Sequence, residues 1–175
     1  PGALQEVSQS DFFGAINDVR SSLIRVEADE ATYNLHIIIR FELERAVMEG
    51  SLETDDLPDA WNEKYQQFLG IQPPSHADGL LQDIHWSAGL VGYFATYSLG
   101  NLYASQFFEA AGEELGDLEE LFAAGEFSVL KDWLLRNVYR RGSRYRSRLL
   151  AEKVCGKPLS HQPLMRHLRN KLSAI

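Results

Sequence analysis

The sequence predicts an all-α chain. Three observations carry that reading: apolar residues recur at helical spacing almost throughout, capping residues stand ahead of the runs, and glycine or proline closes them. No internal repeat, low-complexity stretch or Ser/Pro-rich linker divides the 175 residues, so they read as one helical unit. Ser10 and Asp11 offer a cap for a first helix reaching about Ser22, with Phe13, Ile16 and Val19 along one side. Asp29 offers the N-cap of a long helix ending near Gly50. That helix carries two apolar stripes, one including Leu35, Ile39, Leu43 and Val47, the other Tyr33, Ile37, Phe41 and Met48. Two stripes predict burial over most of its girth. Arg40 and Glu44, four residues apart, have the spacing of an ion pair.

Asp55-Asp56-Leu57-Pro58 opens the next helix, with proline in the first turn, where no N–H is needed. Trp61, Tyr65 and Phe68 lie within it, and Gly70 ends it. Gln72-Pro73-Pro74-Ser75-His76 reads as a loop. Between residues 80 and 97, Gly89 and Gly92 interrupt regular structure, and a short extended piece or strand is expected there at most. Helices then follow through Leu102, Phe107, Phe108 and Ala111, over 118–124, 129–139 and 145–154, and from Gln162 toward Lys171.

The composition excludes several classes. Apolar residues are 45% of the chain and charged residues 24%, as in a soluble domain with a real core. No apolar run approaches the roughly 20 residues that cross a bilayer, so no membrane partner is expected. The start, Pro-Gly-Ala-Leu, has neither the basic nor the apolar region of a signal peptide, and its lack of Met fits a trimmed chain. Cys155 is the single cysteine, which excludes an internal disulfide and favours a reducing, cytoplasmic setting. Net charge is −8, yet from Arg136 onward eleven Lys and Arg stand against one acid, Glu152. The acidic remainder opposes a polyanion, and the basic run lacks a nucleic-acid-binding signature. A solvated helix face docked on the chain's own acids is the expectation, with no nucleic acid as partner.

Catalytic motifs are incomplete. A helical metalloprotease site needs His-Glu-x-x-His, two imidazoles on one helix face with a Glu as base. None of the five histidines, His36, His76, His85, His161 and His167, has another four residues on. No cysteine cluster, phosphate loop or nucleophile elbow is present. Two segments are nonetheless dense in chemistry. In Ile24-Arg25-Val26-Glu27-Ala28-Asp29, Arg25 stands where a guanidinium could grip a carboxylate in bidentate fashion, or pair with Glu27 or Asp29. In Gly79-Leu80-Leu81-Gln82-Asp83-Ile84-His85-Trp86, Asp83 could orient the His85 imidazole. With Gly92-Tyr93-Phe94-Ala95-Thr96-Tyr97 following, His85 and a tyrosine could donate to a developing oxyanion, or form a satisfied aromatic core.

Ile-Arg-x-x-Ala-Asp and Gly-x-x-Gln-Asp-x-His-Trp resemble two signature motifs of the carboxypeptidase Taq family, zinc-dependent enzymes that remove C-terminal amino acids from peptides. Asp56-Leu57-Pro58 with Trp61-Asn62, and Gly92 to Tyr97, fit the same family, over roughly residues 10–175. The resemblance implies the C-terminal portion of an all-α zincin fold of the neurolysin and angiotensin-converting-enzyme type. It places the zinc ligands earlier in the family's sequence, so no metal ligand is expected in this chain and zinc belongs to an intact parent. It implies that Arg25 binds the substrate's terminal carboxylate, with Gln82 and Tyr93 lining that pocket. His85 and Tyr97 then stabilise the tetrahedral intermediate, with Asp83 behind them. Ala95 departs from the family, where many relatives have proline, which puts the placement of Tyr97 in question. The partners implied are a peptide C-terminus and a second copy of the chain. The alternative is a helical interaction module that reuses the fold without catalysis.

Overall fold

The computed structural model describes residues 2–173, and among these no strand occurs. Among the described residues eight α-helices follow one another: α1 (Gln9–Ile16), α2 (Glu30–Met48), α3 (Leu57–Leu69), α4 (Ala95–Leu115), α5 (Leu118–Ala123), α6 (Ser128–Asn137), α7 (Ser147–Cys155) and α8 (Gln162–Ser173). Short 3-10 turns intervene at Gly2–Leu4, Arg25–Glu27, Thr54–Asp56 and Tyr139–Arg144. None of these helices is long and apolar enough to cross a membrane.

The caps explain the boundaries. Asp29 Oδ1 accepts the N–H groups of Ala31 and Thr32, which opens α2. Gly70, at φ 71°, closes α3 in the left-handed conformation that glycine adopts without steric cost. The first helix is shorter than its pattern suggests. Ser8, not Ser10, caps α1, and the chain leaves it at Asn17, whose amide folds back onto the Phe13 carbonyl. The backbone N–H of Arg20 then goes to Asp29 rather than into a helix. Residues 80–94 form a succession of turns, not a strand, with Gly89 and Gly92 at positive φ.

The chain divides into two compact units, residues 1–98 with 171–175, and residues 99–170. In the first, α2 packs on α3 through Ile39, Leu43, Trp61, Tyr65 and Leu69, with Leu80 and Trp86 of the turn segment against them. α2 is less enclosed than its two stripes predict: Ile37 and Ile39 are buried, but Ile38, Phe41 and Met48 are exposed. In the second unit the core is Ala111, Leu118 and Trp133, joined by Phe107, Phe122, Leu130 and Val154. There the fully buried Gln106 holds residues 157–160, accepting the Ser160 N–H and donating to the carbonyl of Pro158. Part of the basic tail is indeed docked on acids: within this unit Lys157 and Arg166 both pair with Glu109. Those hydrogen bonds hold the Glu109 carboxyl below its usual range.

Candidate active site

The first unit folds its turn segment over α2 by means of buried polar side chains. Arg25 begins a 3-10 turn, and its backbone N–H donates to Gln82 Oε1 at 2.8 Å. Gln82 Nε2 faces the Leu23 carbonyl at 3.0 Å, the Asp78 carbonyl at 2.9 Å and the Tyr65 hydroxyl at 3.2 Å. An amide has two N–H groups, so three acceptors exhaust it. Gln82 is a bracket joining residues 23–25 to the turn segment, its N–H groups directed to acceptors within the chain.

Asp83 lies between two guanidinium groups. Its Oδ1 accepts from Arg25 Nε (3.0 Å) and Nη2 (2.7 Å), and its Oδ2 accepts from Arg40 Nε (2.6 Å). Arg40 Nη2 also stands 2.6 Å from Oδ2, without a well-aligned hydrogen bond. The Arg40 side chain is fully buried and sits over the Trp61 ring at 4.7 Å, a cation–π contact. Burial works to raise the Asp83 carboxyl, but the hydrogen bonds of Arg25 and the charge of Arg40 outweigh it and hold it below its usual range. Two cations face one anion, so the cluster carries net positive charge. Arg40 therefore does not pair with Glu44, despite the four-residue spacing. Its charge is claimed by a carboxylate 43 residues away, and Glu44 accepts from Trp86 and Gly92 instead.

Arg25 pairs with neither Glu27 nor Asp29. Besides Asp83, its Nη1 donates to the Tyr33 hydroxyl at 3.0 Å, and its guanidinium lies 5.0 Å from the Tyr97 ring centre. Three of its five N–H groups are used, leaving two.

His36, fully buried beside these cations, has its imidazole pushed down to about 4, first by burial and then by Arg40 and Arg25. At neutral pH it is uncharged, in contact with the Tyr65 hydroxyl at 3.1 Å.

Above this base lie the catalytic candidates. His85 Nε2 and the Tyr97 hydroxyl are 2.9 Å apart, a direct hydrogen bond. The imidazole is 8% exposed and packed among rings: Phe94 at 4.3 Å, Tyr93 at 5.6 Å and Tyr97 at 5.8 Å. Phe94 is buried under the cluster, while Tyr93 is exposed. His85 Nδ1 is buried with no hydrogen-bond partner, and Asp83 Oδ1 stands 3.9 Å away. That separation is too long for a hydrogen bond, so Asp83 does not fix the ring directly.

The structure thus brings Arg25, Asp83, His85, Tyr93 and Tyr97 together, and gives Gln82 a supporting task behind them. Ala95 begins α4, and with alanine there the Tyr97 hydroxyl still meets His85 Nε2. Sequence reasoning missed Arg40, Glu44, Tyr33 and Phe94. A charged residue amid the apolar stripes of α2 was the available signal for Arg40 and Glu44, but it pointed to a partner one turn away. Among the described residues no group of three or more His, Cys, Asp or Glu could hold a metal ion.

Nearly the whole chain is similar to known proteins. The family model for carboxypeptidase Taq (M32) metallopeptidases matches residues 1–172. Thermostable carboxypeptidase 1 of Thermus thermophilus is 52% identical over 173 residues, which are 99% of this chain and 34% of that protein. Carboxypeptidase 1 of Bacillus subtilis is 43% identical over 175 residues, 100% of this chain and 35% of that protein. Among solved structures, the M32 carboxypeptidase from Deinococcus radiodurans superposes with a TM-score of 0.94 at 45% identity, over 98% of this chain and 35% of that one. Trypanosoma cruzi metallocarboxypeptidase 1 gives 0.91 at 33% identity, over 95% and 35%. The chain therefore spans about a third of the length of these relatives.

Proposed function

Because the chain belongs to the carboxypeptidase Taq family of metallopeptidases, we propose that it forms the part of a metallocarboxypeptidase that receives a peptide C-terminus. The observation that carries this reading is the His85–Tyr97 pair, bonded at 2.9 Å and backed by a cluster of net positive charge. The described residues do not fit a metal cage. In this proposal the metal, zinc, is held by polypeptide outside the third of the family length spanned here, and this chain alone hydrolyses nothing.

The chain's own residues have definite tasks. With the His85 Nε2–H donating to the Tyr97 oxygen, the Tyr97 O–H is free to donate to the oxyanion that forms at the scissile carbonyl. The reversed tautomer commits the Tyr97 proton to Nε2 and leaves none for the oxyanion, so the first state is the active one. It is a prearranged donor in a place largely shielded from water, where such donors act most strongly. Arg25 offers its two remaining N–H groups to the terminal carboxylate, and the second guanidinium of the cluster keeps the local charge positive when Asp83 is counted. Exposed Tyr93 meets the last side chain of the peptide. These tasks set a test. In a full-length polypeptide of this family carrying these residues, His85→Ala and Tyr97→Phe should each lower turnover by about 10²–10³-fold. Unchanged turnover in both variants removes the reading.

A further inference from the structure

Trp86 and Gly92 stand at the two ends of the turn that separates His85 from Tyr93 and Tyr97. One oxygen holds both. Glu44 Oε1, projecting from α2, accepts the Trp86 indole N–H at 2.7 Å and the Gly92 backbone N–H at 3.2 Å. Glu44 is 6% exposed and, among the described residues, makes no ion pair, since Arg40 on its own helix is committed to Asp83. A buried carboxylate taking two neutral donors on one oxygen is a costly arrangement to maintain, and both donors belong to the segment that carries the candidate site.

We infer that Glu44 is a positioning residue for the His85–Tyr97 pair, an assignment that rests on the reading of that pair as the oxyanion donor. The connection is short on both arms. On one arm Trp86 follows His85 directly, and its ring meets Phe94 edge-on at 5.8 Å, while Phe94 lies 4.3 Å from the His85 ring. On the other arm Gly92 precedes Tyr93, whose ring lies 5.6 Å from His85 and 5.5 Å from Tyr97. Gly92 has φ 81° and no side chain, so only its backbone can anchor it, here through the N–H. Behind the clamp lies a cleft of about 200 Å³ lined chiefly by Leu43, Val47, Met48, Leu57 and Val91. Apart from Glu44, the Thr54 hydroxyl is the side-chain oxygen acceptor on those walls, and in the folded chain the indole N–H goes to Glu44. Without the carboxylate, the turn loses its tie to α2 at both ends at once, and the rings that frame His85 are free to shift.

Nitrogen-15 NMR of the His85 imidazole in the full chain tests this, with the resonances assigned by their loss in His85→Gln. In Glu44→Ala the Nε2 resonance should move toward that of a solvated imidazole as its bond to Tyr97 weakens. Glu44→Gln keeps an acceptor oxygen and should restore most of the wild-type signature. Trp86→Phe deletes only one of the two donors and should shift His85 in the same direction by less. Leu43→Ala, a buried neighbour on α2, should lower stability without moving the His85 resonances. Wild-type His85 signals in Glu44→Ala, or an equal shift in Leu43→Ala, would overturn the assignment. If Glu44→Ala does not fold, wild-type signals in Trp86→Phe do so instead. The readout needs no peptide hydrolysis, so its failure is distinct from failure of the turnover test on His85 and Tyr97.

Discussion

The two compact units bury opposite kinds of matter. Residues 99–170 bury aromatic and aliphatic side chains around Trp133, with Gln106 as the polar side chain buried among them. The first unit buries Arg25, His36, Arg40, Glu44 and His85, besides its apolar core. Charges are rarely taken out of water unless each finds a partner, because the desolvation penalty is several kcal/mol per ion. A unit that buries five ionisable groups and holds Asp83 between two of them accepts that cost where a core needs none of it. The contrast fits the proposed function, which sets the site in the first unit and leaves the second to packing.

Removing Asp83 breaks this contrast most severely. Asp83→Ala leaves the guanidiniums of Arg25 and Arg40 buried without their shared anion. Breaking a buried pair in this way typically costs about 3–5 kcal/mol. Urea unfolding should show that loss, and a change below about 1 kcal/mol would mean that water already screens the cluster. Replacing the triad with apolar residues of similar volume should recover much of the stability, as such swaps often do. It should not recover the proposed function, which separates the two purposes of the charges.

His36 gives a smaller effect confined to a pH window. Its folded value, about 4, lies below the 6.5 of a free imidazole, chiefly through burial and then through Arg40 and Arg25, opposed by Asp83 and Asp29. The unfolded chain therefore binds the proton more readily. The contribution to stability is complete above pH 6.5 and is lost as pH falls from there toward 4. The full difference is about 3 kcal/mol at 1.36 kcal/mol per unit. His36→Gln should flatten the fall of the urea midpoint between pH 6.5 and 4. An unchanged slope in the variant assigns the fall to other groups.

These expectations also show what the sequence could reveal. Helices announce themselves locally: Asp29 before α2, Pro58 inside α3 and Gly70 after it are chemical instructions readable without coordinates. The site motifs were legible as well, since Gln82, Asp83 and His85 lie within four residues of one another. Their pairing was not. Arg25 meets Asp83 across 58 residues and Glu44 meets Trp86 across 42, and a contact at such separation leaves no periodic trace. Spacing instead offered Arg40 a false partner in Glu44, because helical geometry brings the two near each other but does not decide between competing carboxylates. The apolar stripes of α2 misled in a similar way. Periodicity shows which residues share a face, whereas Phe41 and Met48 show that a shared face need not be covered within these residues.

The second unit supplies the mildest test. Gln106 spans residues 157–160 by accepting the Ser160 N–H at 2.9 Å and facing the Pro158 carbonyl at 3.1 Å. Gln106→Leu keeps the volume and removes the bonds, so backbone groups of residues 157–160 lose their partners. An unmade bond to a buried group costs about 1–3 kcal/mol. This segment joins α7 to α8 and lies close to water, which can take over part of the bonding, so the low end applies. Amide exchange at Ser160 should quicken by about tenfold, the factor that 1.4 kcal/mol produces. The variant sharpens the contrast between the units because it removes no charge. Its effect should be the same from pH 6.5 to pH 4, where that of His36 changes throughout. A pH-dependent Gln106→Leu effect in that window would show that the hold on residues 157–160 is coupled to the Glu109–Lys157 pair.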